Sequence, residues 1–90
     1  MKIIFRVHAI QRMFERNITD ADIRHVLANG ETIESYPDDT PYPSRLMLGW
    51  SGTRPLHIIV ADNLKDNERI IVTVYHPDPE RWDTDYKRRK

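Results

Sequence analysis

The 90-residue sequence contains no cysteine. That excludes disulfides, thiolate metal sites and a cysteine nucleophile. No apolar stretch approaches the ~20 residues of a membrane span. The apolar run behind Met1, Ile3-Ile4-Phe5, is too short for the core of a secretory leader. A cytoplasmic protein without membrane attachment is therefore expected. Net charge is absent too, because 14 basic and 14 acidic residues cancel. A neutral chain lacks the footprint of a dedicated DNA binder. No internal repeat, low-complexity segment, phosphate loop or dinucleotide fingerprint occurs, nor a helix-turn-helix of convincing length. His8, His25, His57 and His76 have no metal-ligand spacing and no compact carboxylate cluster beside them, so neither a metal nor another cofactor is expected.

What is present is ordinary for a globular protein: 39% hydrophobic and 31% charged residues, a balance too apolar for disorder. The length suits one domain over residues 1–90 with one core, followed at its end by a basic tail, residues 83–90. Charge is unevenly placed. Arg6, Arg12 and Arg16 cluster near the start, and Lys87-Arg88-Arg89-Lys90 closes the sequence. Acidic residues gather at Asp20, Asp22, Glu31, Glu34, Asp38 and Asp39. A local basic face can meet phosphate, although a basic tail is also what a solvated, frayed terminus looks like.

Ile3-Ile4-Phe5 fits a brief edge strand or a lead-in to the first helix. His8 to Arg16 reads as that helix, with Ala9, Ile10, Met13 and Phe14 on one apolar face and Asn17 as its stop. Thr19 has the character of an N-cap, with Asp20 and Asp22 in the first turn, where the helix dipole favours negative charge. Ile18 and Ile23 occupy the two positions of a hydrophobic staple. Ile23, Val26 and Leu27 form the buried stripe of the second helix. Asn29-Gly30 ends it, with Gly30 able to take a left-handed conformation.

The apolar period then changes to two. Thr32–Tyr36, Leu46–Trp50, Leu56–Ala61 and Ile70–Tyr75 read as strands, with Pro37, Pro41 and Pro43 confined to a loop. The last three runs form a meander, and the last two, apolar on both faces, belong inside the sheet. The expected fold class is α+β: two N-terminal helices followed by a curled antiparallel β-meander sheet. Trp82 and Tyr86, four apart among charges, are expected to fold back on the sheet while partly exposed.

His8, Arg12 and Arg16 are spaced four and four, which places them along one side of the first helix. A histidine with two guanidinium groups suits phosphodiester chemistry. Histidine moves a proton near neutral pH, and arginine neutralises phosphate and transition-state charge. The same spacing also fits a solvated helix edge on which Glu15 pairs locally. His57, Tyr75 and His76 form a second set, on neighbouring strands and at a strand exit. Tyr75 can donate a hydrogen bond or a proton, and His57, sharing a face with Ile59 and Ala61, can equally be a satisfied core histidine. Arg45 and Arg54 can contact phosphate or be plain surface charges.

The pattern His8-Ala9-x-x-Arg12-Met13-x-x-Arg16-x-Ile18 resembles the signature of a bacterial domain-of-unknown-function family, number 4258. Asp22-Ile23-x-x-Val26-Leu27-x-x-Gly30-Glu31-x-Ile33-Glu34-x-Tyr36, Tyr42-Pro43-Ser44-Arg45-Leu46, Pro55-Leu56-His57 and Ile71-Val72-Thr73-Val74-Tyr75 extend the likeness from about Ile4 to Trp82. Val7 departs from it, standing where members often have a small polar residue that caps the first helix. The resemblance implies a fold similar to RelE-type ribonuclease toxins and a place in a bacterial type II toxin–antitoxin pair. It implies RNA as the target, a cognate antitoxin protein as partner and the ribosome as a further one. Only His8, Arg12 and Arg16 lie in the hallmark motif.

The expected activity is metal-independent RNA cleavage by attack of the ribose 2′-OH. His8, Arg12, Tyr75 and His57 are the expected catalytic set, and Arg16, Arg45 and His76 the RNA-binding set. The alternative is a non-catalytic module that binds protein or RNA. Buried, fully paired arginines would favour that module, and arginines open to solvent in a cleft would favour the nuclease.

Overall fold

A computed structural model describes residues 1–90. The elements are β1 (Lys2–Phe5), α1 (Val7–Arg16), α2 (Asp20–Asn29), β2 (Glu31–Tyr36), β3 (Ser44–Ser51), β4 (Arg54–Asn63) and β5 (Glu68–Tyr75). They build an α+β fold around one five-stranded open sheet in the order β1-β5-β4-β3-β2. Strands β2 to β5 form the expected antiparallel meander. β1 instead lies parallel to β5, pairing Lys2 with Glu68 and Phe5 with Ile71, so the sheet is mixed rather than wholly antiparallel. Three successive reversals from β2 set the direction of β5. The chain leaving β1 must first build two helices, so nothing local in Ile3-Ile4-Phe5 encodes its partner.

Local signals place the helix ends. Asn17 stops α1 in the left-handed region at φ 56°, with its backbone N–H on the Met13 carbonyl. The start of α1 has no side-chain cap: Arg6, not Val7, stands at the N-cap, and Val7 is already the first helical residue. Thr19 caps α2 reciprocally: its hydroxyl accepts from Asp22 N at 3.1 Å while the Asp22 carboxylate accepts from Thr19 N at 2.9 Å. Ser51 donates to the same carboxylate at 2.7 Å, and these bonds hold Asp22 below the usual carboxylate range. Ile18 and Ile23 are both buried, as a staple requires. Gly30 does not take the left-handed conformation expected of it; its backbone is extended, at φ −77° and ψ 179°. Its lack of a side chain serves proximity instead, because a Cβ there would lie 2.6 Å from the Val26 carbonyl and 2.7 Å from that of Leu48.

Both helices cover one face of the sheet. Ala9, Ile18, Ile23 and Val26 pack against Met47, Leu56, Ile58, Val60, Ile71 and Val74. A bulge helps: Ile59 pairs with Thr73 but Val60 with Ile71, leaving Val72 as an extra residue on β5. The strict alternation expected of β5 is thereby broken, and Ile71 joins Val74 on the helix side. The apolar face of α1 is only partly used. Ala9 is buried and Met13 half-buried, but Ile10 is 51% and Phe14 92% exposed, contrary to the expectation of a buried face. The helix touches the sheet along β5 near its edge, so only the strip directly over that strand is covered.

The other face carries Leu46, Leu48, His57, Ala61 and Ile70, all buried. Residues 77–90 fold back over part of it. Trp82, expected to be partly exposed, is 6% exposed, and the basic tail is not frayed but closed as a small loop with a Trp82–Arg89 bridge. No helix is long and apolar enough to cross a membrane.

Candidate functional site

β5 outruns β1. β1 pairs only as far as Ile71, whereas β5 continues to Tyr75. α1 springs from the end of β1 and runs beside this last stretch. The result is a cleft of about 250 Å³ lined by His8, Arg12 and Arg16 from α1 and by Thr73, Val74 and Tyr75 from β5. The helical repeat of four puts the three basic side chains on one side, and the shortness of β1 leaves the opposite wall open. His8 and Arg16 are exposed, and Arg12 is half-open with one ion pair, to Glu15 at 3.3 Å. Neither arginine reaches Glu31 or Glu34. Glu31 pairs with Lys87 at 2.9 Å, and Glu34 accepts from the Tyr36 hydroxyl at 2.7 Å.

Tyr75 joins this cleft to the second set. Its hydroxyl lies 3.2 Å from His57 Nδ1, and His57 Nε2 lies 2.8 Å from the Tyr86 carbonyl. A carbonyl only accepts, so Nε2 carries the proton, and Nδ1 accepts from the tyrosine hydroxyl. Burial pushes the His57 pKa down, opposed by the bond to Tyr86 and reinforced by Arg89. Burial pushes the Tyr75 pKa up. Both groups are therefore neutral near pH 7. His57 is fully buried with both ring nitrogens engaged, so it holds Tyr75 in place and is closed to solvent itself.

His76 lies on the far side of the strand exit. Its Nδ1 is 3.1 Å from the Pro55 carbonyl and its Nε2 meets Arg54 Nη2. A guanidinium only donates, so His76 Nε2 is the acceptor in that contact. Arg54 also donates to the Arg16 carbonyl at 3.4 Å, linking His76 to the end of α1. Nothing local in the sequence marks this tie, since Arg54 reaches 38 residues back to Arg16. Arg45 is elsewhere: its guanidinium grips Asp62 through two bonds, at 2.9 and 3.3 Å, and adds one to Thr32. Of the seven expected site residues, four thus share one cleft, His57 supports one of them, His76 sits behind Arg54, and Arg45 stands apart. No group of three or more His, Asp or Glu side chains is disposed to hold a metal ion.

Residues 5–76 match the family described as "Domain of unknown function (DUF4258)". The chain belongs to the DUF4258 family. No curated protein and no solved structure matches it. The matched span runs from the end of β1 to His76, so the DUF4258 domain contains every candidate residue named above. It stops before the segment that carries Trp82 and Tyr86.

Proposed function

We propose that this DUF4258 chain is a metal-independent endoribonuclease acting as the toxin of a type II toxin–antitoxin pair, with a fold akin to that of RelE-like toxins. The observation that carries the reading is the shared cleft: His8, Arg12 and Arg16 from α1 and Tyr75, distant from them in sequence, line one solvent-open groove. Two guanidinium groups would hold the phosphate and offset the charge that builds on it. His8, exposed and without a hydrogen-bond partner, would take the proton from the ribose 2′-OH as that oxygen attacks phosphorus. The 2′-O–P bond forms, the P–O5′ bond breaks, and the products are a 2′,3′-cyclic phosphate and a 5′-hydroxyl. Tyr75, kept protonated by burial, would turn its one hydroxyl proton from His57 Nδ1 to the leaving oxygen as the P–O5′ bond breaks. Arginines open to solvent in a cleft favour this reading over a module that buries them. A cognate antitoxin, the ribosome as site of action and a cytoplasmic location belong to the same proposal.

The experiment is cleavage of end-labelled single-stranded RNA by the purified chain in the presence of a chelator. Parent, His8→Ala and Arg12→Ala proteins would be compared after each is shown to be folded. Cleavage leaving cyclic phosphate, abolished by a 2′-deoxy substitution at the cut site and reduced at least ~100-fold by His8→Ala, is expected of a positioned proton-transfer group. Cleavage that His8→Ala leaves unchanged refutes the assigned site. One observation favours a second reading, a non-catalytic binding module: Arg12 is already paired with Glu15 rather than held free for a reacting phosphate. RNA retained by the parent protein but never cut identifies that case.

A further inference from the structure

Residues 77–90 are held to the body of the protein in an unusual way. Their main-chain hydrogen bonds close on themselves: Arg81 N and Trp82 N to Asp78 O, Tyr86 N to Asp83 O, Asp83 N to Arg88 O, and Lys90 N to Arg81 O. No main-chain bond joins them to the sheet. The segment begins where the DUF4258 match ends, at His76, and it leaves β5 through Pro77-Asp78-Pro79. Everything that attaches it involves a side chain. The Trp82 ring meets the His57 ring edge-on, 4.5 Å between centroids at 90°. Tyr86 meets Trp50 the same way at 5.9 Å, Lys87 pairs with Glu31 at 2.9 Å, and the Tyr86 carbonyl accepts from His57 Nε2.

The surface beneath is complementary to such a ligand. His57 is a buried N–H donor that needs an acceptor, because an unsatisfied buried donor is costly. Trp50 and Tyr75 flank it as aromatic walls, and Glu31 and Glu34 stand on β2 at the rim. Arg89, seated 5.0 Å from the Trp82 ring, adds positive charge opposite that rim. We propose that the sheet face around His57, Tyr75 and Trp50 is a binding surface for a basic, aromatic-bearing peptide, which residues 77–90 occupy in cis as an exchangeable ligand. Tethering gives the attached segment a high effective concentration, so a free peptide of the same chemistry competes only when the cis contacts are weakened. The surface lies outside the His8–Arg12–Arg16 side of the cleft, and the proposal stands whether or not the chain cleaves RNA.

Two measurements on the full chain test it. In hydrogen exchange on the unaltered protein, the amides of Asp83, Tyr86 and Lys90 are expected to exchange at least ~10-fold faster than those of β4, as a unit that opens locally does. Equal rates would make the segment part of the one cooperative core and overturn the proposal. In the second, a fluorescent synthetic peptide of residues 77–90 is titrated into the parent chain, a Trp82→Ala chain and a Lys87→Glu chain. Saturable binding at least ~10-fold tighter to the two variants than to the parent is expected, because the tethered competitor is weakened. A peptide of the same composition in scrambled order should not bind. Folded variants that bind no peptide overturn the proposal. So does a Trp82→Ala chain that cannot fold, and so does an opened face that takes single-stranded RNA in preference to the peptide.

Discussion

Gly49→Ala adds a single carbon and should still cost measurable stability. Gly49 lies on β3 directly beneath α2, and a Cβ there would fall 2.5 Å from Val26 Cγ2, 2.7 Å from Cγ1 and 2.9 Å from Val26 Cβ. Val26 is fully buried, so its branched side chain has no free rotamer to retreat into, and α2 must lift. Overpacking of this kind costs about 1–3 kcal/mol. Replacing glycine returns about 0.4–1 kcal/mol by restricting the unfolded chain, leaving a net loss of roughly 1–2 kcal/mol. For a domain of this size each kcal/mol lowers Tm by about 4–8 °C. Denaturant unfolding followed by tryptophan fluorescence measures the loss. Val26→Ala should relieve it, so the double variant should be more stable than additivity predicts by about 1 kcal/mol. A Gly49→Ala protein within ~0.5 kcal/mol of the parent, or strictly additive costs, would refute this seating of α2 on the sheet.

Arg12→Ala and Arg16→Ala should each weaken RNA retention and flatten the dependence of log affinity on log salt by about 0.7 for a single strand. Arg45→Ala should leave both unchanged, because that guanidinium is held by Asp62; filter binding over a salt series checks all three. Acid should loosen residues 77–90. Burial holds the His57 pKa below its ordinary value of 6.5, so the closed form binds fewer protons than the open one. Closure is then complete above pH 6.5 and weakens as pH falls from there toward the lowered value. The charged and titratable groups facing the ring are Tyr75 from β5 and Arg89 from the segment. Tryptophan emission should shift to the red over this window in the parent and stay flat in His57→Gln; a pH-independent parent would refute the coupling.

The helices, their ends and the meander were legible in the sequence because their causes are local. Thr19 with Asp22 makes a reciprocal cap wherever it occurs, Asn17 accepts the left-handed conformation, and period-two apolar runs pair with their neighbours. The His8–Arg12–Arg16 row was legible for the same reason, since a helical repeat alone puts it on one side. The burial of that helix was read too broadly at Ile10 and Phe14, because periodicity gives the direction of an apolar face but not the width of the strip a sheet will cover. Arg54 went unrecognised as a tie between His76 and the end of α1, since a bond across 38 residues leaves no mark in any local pattern.

The sequence by itself therefore determined the elements, a cysteine-free α+β domain, membership of the DUF4258 family and the basic row on α1. Only the tertiary structure decided what that row faces. β1 pairs in parallel with β5 and ends four residues short of it, and that unpaired stretch opposite the row makes a cleft. Tertiary packing also separated Arg45 from the site, closed both nitrogens of His57 and laid Trp82 on its ring. Strand partners, edge lengths and side-chain bonds of this kind join residues far apart in the chain. Their energies depend on which surfaces meet, and no window of neighbouring residues carries that information.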